Sequence, residues 1–106
     1  MGSLTAGCGT SSSAYATTAT PVEAYRGEVD VRSIDAPAGG VELGVVEVRS
    51  VQGLDRAVAE FKARVAQLGG NVGVVESHDH TIERQEDQVI VTLDLLGRAY
   101  RTGAVP

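Results

Sequence analysis

The spacing of hydrophobic residues changes along the chain, and its clearest segment has the period of a helix. Residues 54–68 carry leucine, valine and phenylalanine at helical spacing, with charged residues between them, which predicts one amphipathic helix. The inward positions are Leu54, Val58, Phe61, Val65 and Leu68. Asp55 is predicted to cap the start with its carboxylate, and Gly69 or Gly70 to end the helix in the left-handed conformation.

Alternating hydrophobic and polar residues predict two strands ahead of this helix. Residues 27–35, GEVDVRSID, place Val29 and Val31 on one side of a short strand. Residues 36–40, APAGG, predict a turn, because proline and paired glycines favour tight turns. A better-defined strand follows at residues 41–50, VELGVVEVRS.

The hydrophobic phase of that second strand changes partway along it. Leu43 and Val45 share one face. Val46 and Val48 share the other. Such a change predicts either a bulge near Gly44 or Val45, or a strand that is buried on both faces.

After the helix, residues 71–77 start a strand that runs into a polar segment, and residues 88–100 form a long final strand. One face of the final strand collects Val89, Val91, Leu93 and Leu95. These two strands are predicted to pair as a hairpin. The predicted fold class is α+β: a small antiparallel or mixed sheet of three to five strands with one amphipathic helix packed on one face, and a strand-helix-strand-strand core.

The first two dozen residues differ in composition from the rest. Residues 9–20 are glycine, serine, threonine and alanine with a single tyrosine, which offers too little apolar surface to offset the entropy of ordering them. They are therefore predicted to be a flexible tether. The predicted organisation is a signal-peptide remnant or vector sequence at 1–7, a lipidated cysteine with a flexible linker at 8–24, and one α+β domain at 25–104.

Composition and charge narrow the class of protein. Of the 106 residues, 42% are hydrophobic and 22% charged but only 4% aromatic, so valine has to supply much of the core. The formal net charge of -5 repels polyanions and argues against DNA or RNA as a partner. Beyond its start, the sequence contains no run near the roughly 18 apolar residues that a membrane span needs.

Three short motifs resemble a known family. LGVV at residues 43–46, LGGNVGVV at 68–75 and GRAY at 97–100 are similar to a strand, a helix-ending turn and a strand end in small bacterial envelope lipoproteins, the family of the Rcs stress sensor, and in the related YbjQ-like domains. The resemblance covers residues 37–101 and implies a compact sheet with one helix across it, in an envelope protein with a stress-related role. The paired cysteines of the stress sensor have no counterpart here, because Cys8 is the only cysteine.

That cysteine ends the pentapeptide LTAGC at residues 4–8, which is similar to a lipobox. A lipobox marks where a bacterial lipoprotein gains a diacylglycerol thioether on cysteine and is cleaved just before it. The small residues Ala6 and Gly7 suit the peptidase, and Cys8 is the predicted lipidation site. The predicted location is the bacterial cell envelope, with Gly9 favouring the outer membrane facing the periplasm. The alternative is a cysteine without a role in a disordered tail.

A second candidate site lies in the polar segment ESHDHTIERQED at residues 76–87. Alternate side chains share one face of a strand, which would place Glu76, His78 and His80 together as ligands for zinc, nickel or copper. The alternative is a hairpin tip whose polar side chains discourage edge pairing. A single cysteine argues against a cysteine metal cluster or a thiol redox pair. The sequence therefore predicts no cofactor, with a divalent metal at this segment as the alternative.

The sequence does not predict an enzyme. Its serines concentrate in the N-terminal segment, away from any fixed base or oxyanion donor. The glycine pairs at 39–40 and 69–70 lack the lysine and the strand-to-helix context of a phosphate-binding loop. The predicted function is a structural or protein-interaction lipoprotein, and a metal-binding envelope protein is the alternative.

One helix covers only one face of a sheet, so the other face is predicted to be an interaction surface. This face would carry an apolar patch of Val46, Val48, Ile90 and Leu96. Exposed apolar patches usually mark interfaces, so the predicted partners are an envelope protein or a second copy of the chain, besides the membrane through the lipid anchor. The alternative is that residues 22–35 fold back and close this face.

Overall fold

A five-stranded mixed sheet with one α-helix against it makes up the described part of the chain. The computed structural model describes residues 11–20 and 22–103. In chain order the elements are β1 (Ser11–Ala16), β2 (Asp30–Arg32), β3 (Val41–Gln52), α1 (Leu54–Gln67), β4 (Val72–Gln85) and β5 (Gln88–Arg101). The predicted α+β fold is confirmed, as is the hairpin of the last two strands.

The sheet is built around a split β-α-β unit. The strand order is β1-β3-β5-β4-β2, and β5 runs antiparallel to both of its neighbours, β3 and β4. These two strands are therefore parallel to each other, and α1 connects them by crossing one face of the sheet. β1 extends the sheet antiparallel to β3, and β2 extends it parallel to β4.

The core lies between α1 and one face of the sheet. Phe61 and Val65 of α1 are fully buried, as the helical spacing predicts. The other buried residues of this cluster are Val29, Leu43, Val46, Val48, Val51, Ala57, Leu95 and Ala99. Valine therefore supplies much of the core, as the shortage of aromatic residues requires.

Two bulges explain the phase change in β3. The register with β5 shifts between Glu42 and Gly44 and again between Val48 and Val51, so the predicted bulge near Gly44 is confirmed. Beyond the first bulge, Val46 and Val48 point toward α1, and both are 0% exposed. The prediction that these two valines form an outer patch is therefore wrong, because the helix packs on their side of the sheet.

The start of α1 is set by backbone geometry. Gly53 occupies the N-cap with a φ of 91°, and none of the described side chains caps the first turn. Asp55 lies within that turn, where its charge complements the helix dipole. The prediction that Asp55 is the cap is therefore wrong. The N-cap position, between β3 and α1, has a positive φ, which glycine adopts most easily. At the other end Gly69, with a φ of 95°, confirms the predicted glycine terminus.

Residues 11–16, predicted to belong to a flexible tether, instead form β1 at the edge of the sheet. The hydroxyl of Ser12 donates to Glu60 Oε1 at 2.7 Å and accepts from Arg64 Nε at 2.9 Å, which joins β1 to α1. The composition does not reveal this strand, because backbone pairing with β3 and polar contacts to the helix hold it, with little apolar surface.

A connecting segment closes part of the face opposite α1. A Cβ atom at Gly73 would point at α1, so Val72 and Val74 point away from the helix, yet both are buried. Residues 33–40 have to cross β4 and β5 to join β2 to β3, and Pro37 within them is also buried. Ser33 lines the helix side of the sheet, so the burial of Val72, Val74 and Pro37 places only the part of the connection around Pro37 over the outer face.

Residues 22–29 run beside the end of the helix instead. Tyr25 N donates to Ala66 O at 2.8 Å, and the guanidinium carbon of Arg101 lies 4.8 Å from the centroid of the Tyr25 ring. The predicted alternative, closure of the outer face by residues 22–35, is therefore wrong for most of that segment.

Candidate functional site

The β4–β5 hairpin extends beyond the rest of the sheet. β3 ends opposite Thr92 of β5, and β2 pairs only with residues 72–74 of β4. Beyond residue 74 of β4, up to the turn at Glu86 and Asp87, no other strand of the described chain pairs with β4 on its outer edge. Residues 76–85 of β4 therefore form an open edge, with backbone groups that point outward.

A bulge in β4 decides which of its side chains share a face. The register with β5 shifts between Val75 and Ser77, so Glu76 is an extra residue. His78 lies opposite a core leucine of β5 and faces α1. Glu76 points to the outer face, where its Oε2 accepts from Arg98 Nε at 3.0 Å. Strict alternation would bring Glu76 and the two histidines together; the bulge separates them, so this predicted ligand set is wrong.

The two histidines remain on one face. His78 and His80 lie opposite Leu95 and Leu93 of β5. Among residues 11–20 and 22–103, no group of three histidine, cysteine, aspartate or glutamate side chains is arranged to hold a metal ion. A structural zinc site takes four ligands, and the described chain supplies two imidazoles here.

The helix face of the hairpin continues the core to the surface as an apolar groove of about 510 Å³. The apolar walls of this groove are Leu54, Val58, Val75, Val91, Leu93 and Leu95, and both histidines also line it. Leu54 is 60% exposed at this opening, and Ile82, 61% exposed, extends the apolar surface toward the hairpin tip. The pattern of β5 predicts its apolar face, but it gives no signal that α1 begins short of the hairpin and leaves a groove.

The outer face of the same hairpin carries two facing aspartates, with Arg49 of β3 beside them. Asp79 of β4 and Asp94 of β5 lie directly opposite each other, an arrangement that like charges disfavour. Asp94 Oδ1 accepts from Ser50 N at 2.7 Å, and Asp79 Oδ1 accepts from His80 N at 3.0 Å. The ion pairs of the described chain involve neither carboxylate. A cavity of about 480 Å³ opens beside the two aspartates.

The negative charge of the chain is concentrated in the projecting part of this hairpin, residues 76–94. Residues 76–94 hold six of the fourteen acidic residues but only one, Arg84, of the nine basic residues. The remaining eight acidic and eight basic residues cancel. Residues 76–94 therefore carry a formal charge of -5, equal to that of the whole chain, which concentrates negative potential at the projecting end of the hairpin. Arg98, which pairs with Glu76, lies just beyond this segment.

Arg98 joins three strands on the outer face. Its Nη1 donates to Glu42 Oε2 of β3 at 2.9 Å, and its Nε donates to Glu76 of β4. The hydrogen bond to Glu42, followed by the one to Glu76, raises the pKa of the Arg98 guanidinium. Because all three side chains are partly exposed, this triad aligns the strands more than it stabilises the fold.

The remaining predicted surface residues do not form a continuous patch. Leu96 is 41% exposed on the outer face, and Ile90 is partly buried on the same face. Thr92 and Asp94 stand between them along β5, so the outer face is polar at its centre. Cys8, the predicted lipidation site, lies outside the described residues.

No protein-family model, no curated protein and no solved structure matches this chain. The resemblance to envelope lipoproteins therefore rests on the short motifs alone. Across the described residues, no helix is both long enough and apolar enough to cross a bilayer.

Proposed function

We propose that this protein is a bacterial envelope lipoprotein, anchored at the outer membrane through Cys8, whose folded domain serves as a protein-interaction module. The observation that supports the interaction is the apolar groove on the helix face of the hairpin. Binding of a partner would remove this apolar surface from water, which favours association of the two proteins. The walls of the groove offer apolar contact and two imidazoles, which suits binding better than bond-making chemistry.

Lipidation would place the anchor close to the folded domain. β1 begins at Ser11, and the three residues from Cys8 to this point span at most about 11 Å. Ser11 pairs with Arg49, near the end of β3 from which the hairpin projects. An acylated Cys8 would therefore hold the hairpin end of the sheet toward the bilayer, and a partner of the groove would be met close to the membrane surface.

The anchoring is tested by expressing the full-length gene in a bacterial host. We expect mass spectrometry to find a diacylglyceryl group on Cys8, and the protein to fractionate with membranes. The Cys8→Ser variant should lose both properties. An unmodified Cys8 in the mature wild-type protein would rule out the lipoprotein proposal.

The interaction is tested by placing a photo-crosslinking amino acid at Val91 in the groove or at Val41, which is 60% exposed outside it. We expect a discrete crosslinked product in intact cells from position 91 and none from position 41. Equal crosslinking from both positions would mean that the groove is not a specific site.

Metal binding is the second candidate function. The observation that favours it is that His78 and His80 share one strand face, because imidazole is a ligand of zinc, nickel and copper. Glu76 is not among the ligands in this arrangement, because it pairs with Arg98 on the other face.

A further inference from the structure

We propose that the open edge of β4 receives a basic, extended segment of a partner protein as an added strand. In this complex, apolar side chains of the partner enter the groove, and its lysine or arginine side chains meet the acidic residues of the outer face. The inference rests on the proposed interaction function and specifies the chemistry of the partner.

The backbone supplies the first part of the recognition. Residues 76–85 pair with β5 on one side, and β2 stops at the level of residue 74. The outward amide and carbonyl groups of this edge are a ready template for another strand. Their hydrogen bonds give affinity in such strand addition, and side chains give specificity.

The two faces of the edge set the sequence pattern of the partner. On the helix side, an added strand lies beside His78, His80 and Ile82, with the groove behind them. On the outer side it lies beside Asp79 and Glu83, and a long side chain reaches Asp94 on β5. Because successive side chains of a strand point to opposite faces, the fitting segment alternates apolar and basic residues.

The charge favours a basic partner over a second copy of the chain. Two hairpins paired edge to edge would bring two acidic segments, residues 76–94 of each copy, together, and like charges across an interface are unfavourable. A basic segment is attracted to the same surface, and the attraction weakens as salt screens it.

The experiment titrates the full chain, without lipid, with a fluorescent peptide of about nine residues that alternates lysine and valine, a length that matches the open edge. One control peptide replaces lysine by glutamate. A second keeps the sequence but carries N-methyl groups on alternate residues, which block strand pairing without changing charge. We expect the first peptide alone to bind, added salt to weaken it, and amide hydrogen exchange to slow at residues 76–85.

Matched variants locate the contacts. The Asp79→Asn/Glu83→Gln double variant should weaken peptide binding about five- to tenfold, which corresponds to the loss of two partly exposed charge contacts. Glu23→Gln removes an exposed charge near Gly69, at the end of α1 far from the hairpin tip, and should leave binding unchanged. Val91→Thr should weaken binding through the groove, and Val41→Thr, at an exposed position outside the groove, should not.

Each contrary result overturns a defined part of the proposal. Equal binding of the N-methylated peptide would exclude strand addition, and equal binding of the glutamate peptide would exclude the charge preference. A self-associated protein that excludes the peptide would identify a second copy as the occupant, and no binding at all would reject the site. These outcomes are independent of lipidation, so failure here leaves the anchoring proposal standing.

Discussion

Where β5 passes beneath α1, a single missing methyl group decides how close the helix can approach. A Cβ atom at Gly97 would lie 2.8 Å from Phe61 Cζ and would also collide with the carbonyl oxygen of Val74. Phe61 is the largest fully buried side chain, so it has no room to move aside in a close-packed core. Packing therefore requires glycine at position 97. The backbone conformation does not, because φ is not positive there.

Replacing Gly97 by alanine should lower the free energy of unfolding by about 1–3 kcal/mol, the usual range for an overpacked core. Urea denaturation of the folded domain measures the change. Gly103→Ala is the matched control, because no atom lies within 4 Å of a Cβ there. An equal loss in both variants would mean that backbone flexibility, not packing, is responsible.

Glu86 is strained in the hairpin turn. Its φ of 55° is left-handed, which costs an ordinary residue roughly 1 kcal/mol and suits asparagine better. We therefore expect Glu86→Asn to raise the free energy of unfolding by up to about 1 kcal/mol. Glu86→Gln removes the same charge without the turn preference. Thermal unfolding measures both variants. An equal gain in stability for Glu86→Asn and Glu86→Gln would mean that loss of the charge, and not the turn preference, is responsible.

At the scale of elements, the sequence predicts the helices and strands whose hydrophobic residues repeat at a regular spacing. The apolar stripe of α1 and the alternating face of β5 are found because each repeats over many residues. β1 is missed because Ser12 and its neighbours carry no apolar stripe. The position of Glu76 is missed because one bulge residue inverts the alternation of everything that follows it in β4.

The attachment of β1 depends on Gly44. A Cβ atom there would collide with the carbonyl oxygen of Tyr15 and would lie 2.8 Å from Leu68 Cδ1. We expect Gly44→Ala to release β1, so that amide hydrogen exchange accelerates in Ser11–Ala16 while β4 and β5 keep their protection. Unchanged protection of β1 would show that the strand adapts without separating.

The two-histidine arrangement makes a specific prediction for metal. With Glu76 paired to Arg98 and two imidazoles on the helix face, we expect one equivalent of zinc to leave the ring resonances of His78 and His80 unchanged in NMR spectra. If zinc does shift them, Glu76→Gln should not affect its affinity. A shift that is abolished by Glu76→Gln would restore the ligand set predicted from the sequence.

At the scale of the whole molecule, charge and apolar surface are arranged around the same hairpin. The motifs that indicate an α+β domain say nothing of this, because a groove arises from the relative lengths of α1 and the hairpin. The charge count of residues 76–94 is readable from the sequence. The structure adds that this segment has an open strand edge. Acidic residues on such an edge disfavour pairing with a second copy of the chain.

The hairpin charges should therefore keep the protein monomeric. We expect wild-type protein to sediment as a monomer, and a hairpin variant with three neutralised acids to self-associate along the open edge. The substitutions are Asp79→Asn, Glu83→Gln and Asp87→Asn. A control variant neutralises three exposed acids elsewhere by Glu23→Gln, Asp35→Asn and Asp55→Asn, and it should stay monomeric at the same net charge. If both variants associate, the total charge matters and not its position. If neither associates, the bulge and the twist of the hairpin are enough to protect the edge.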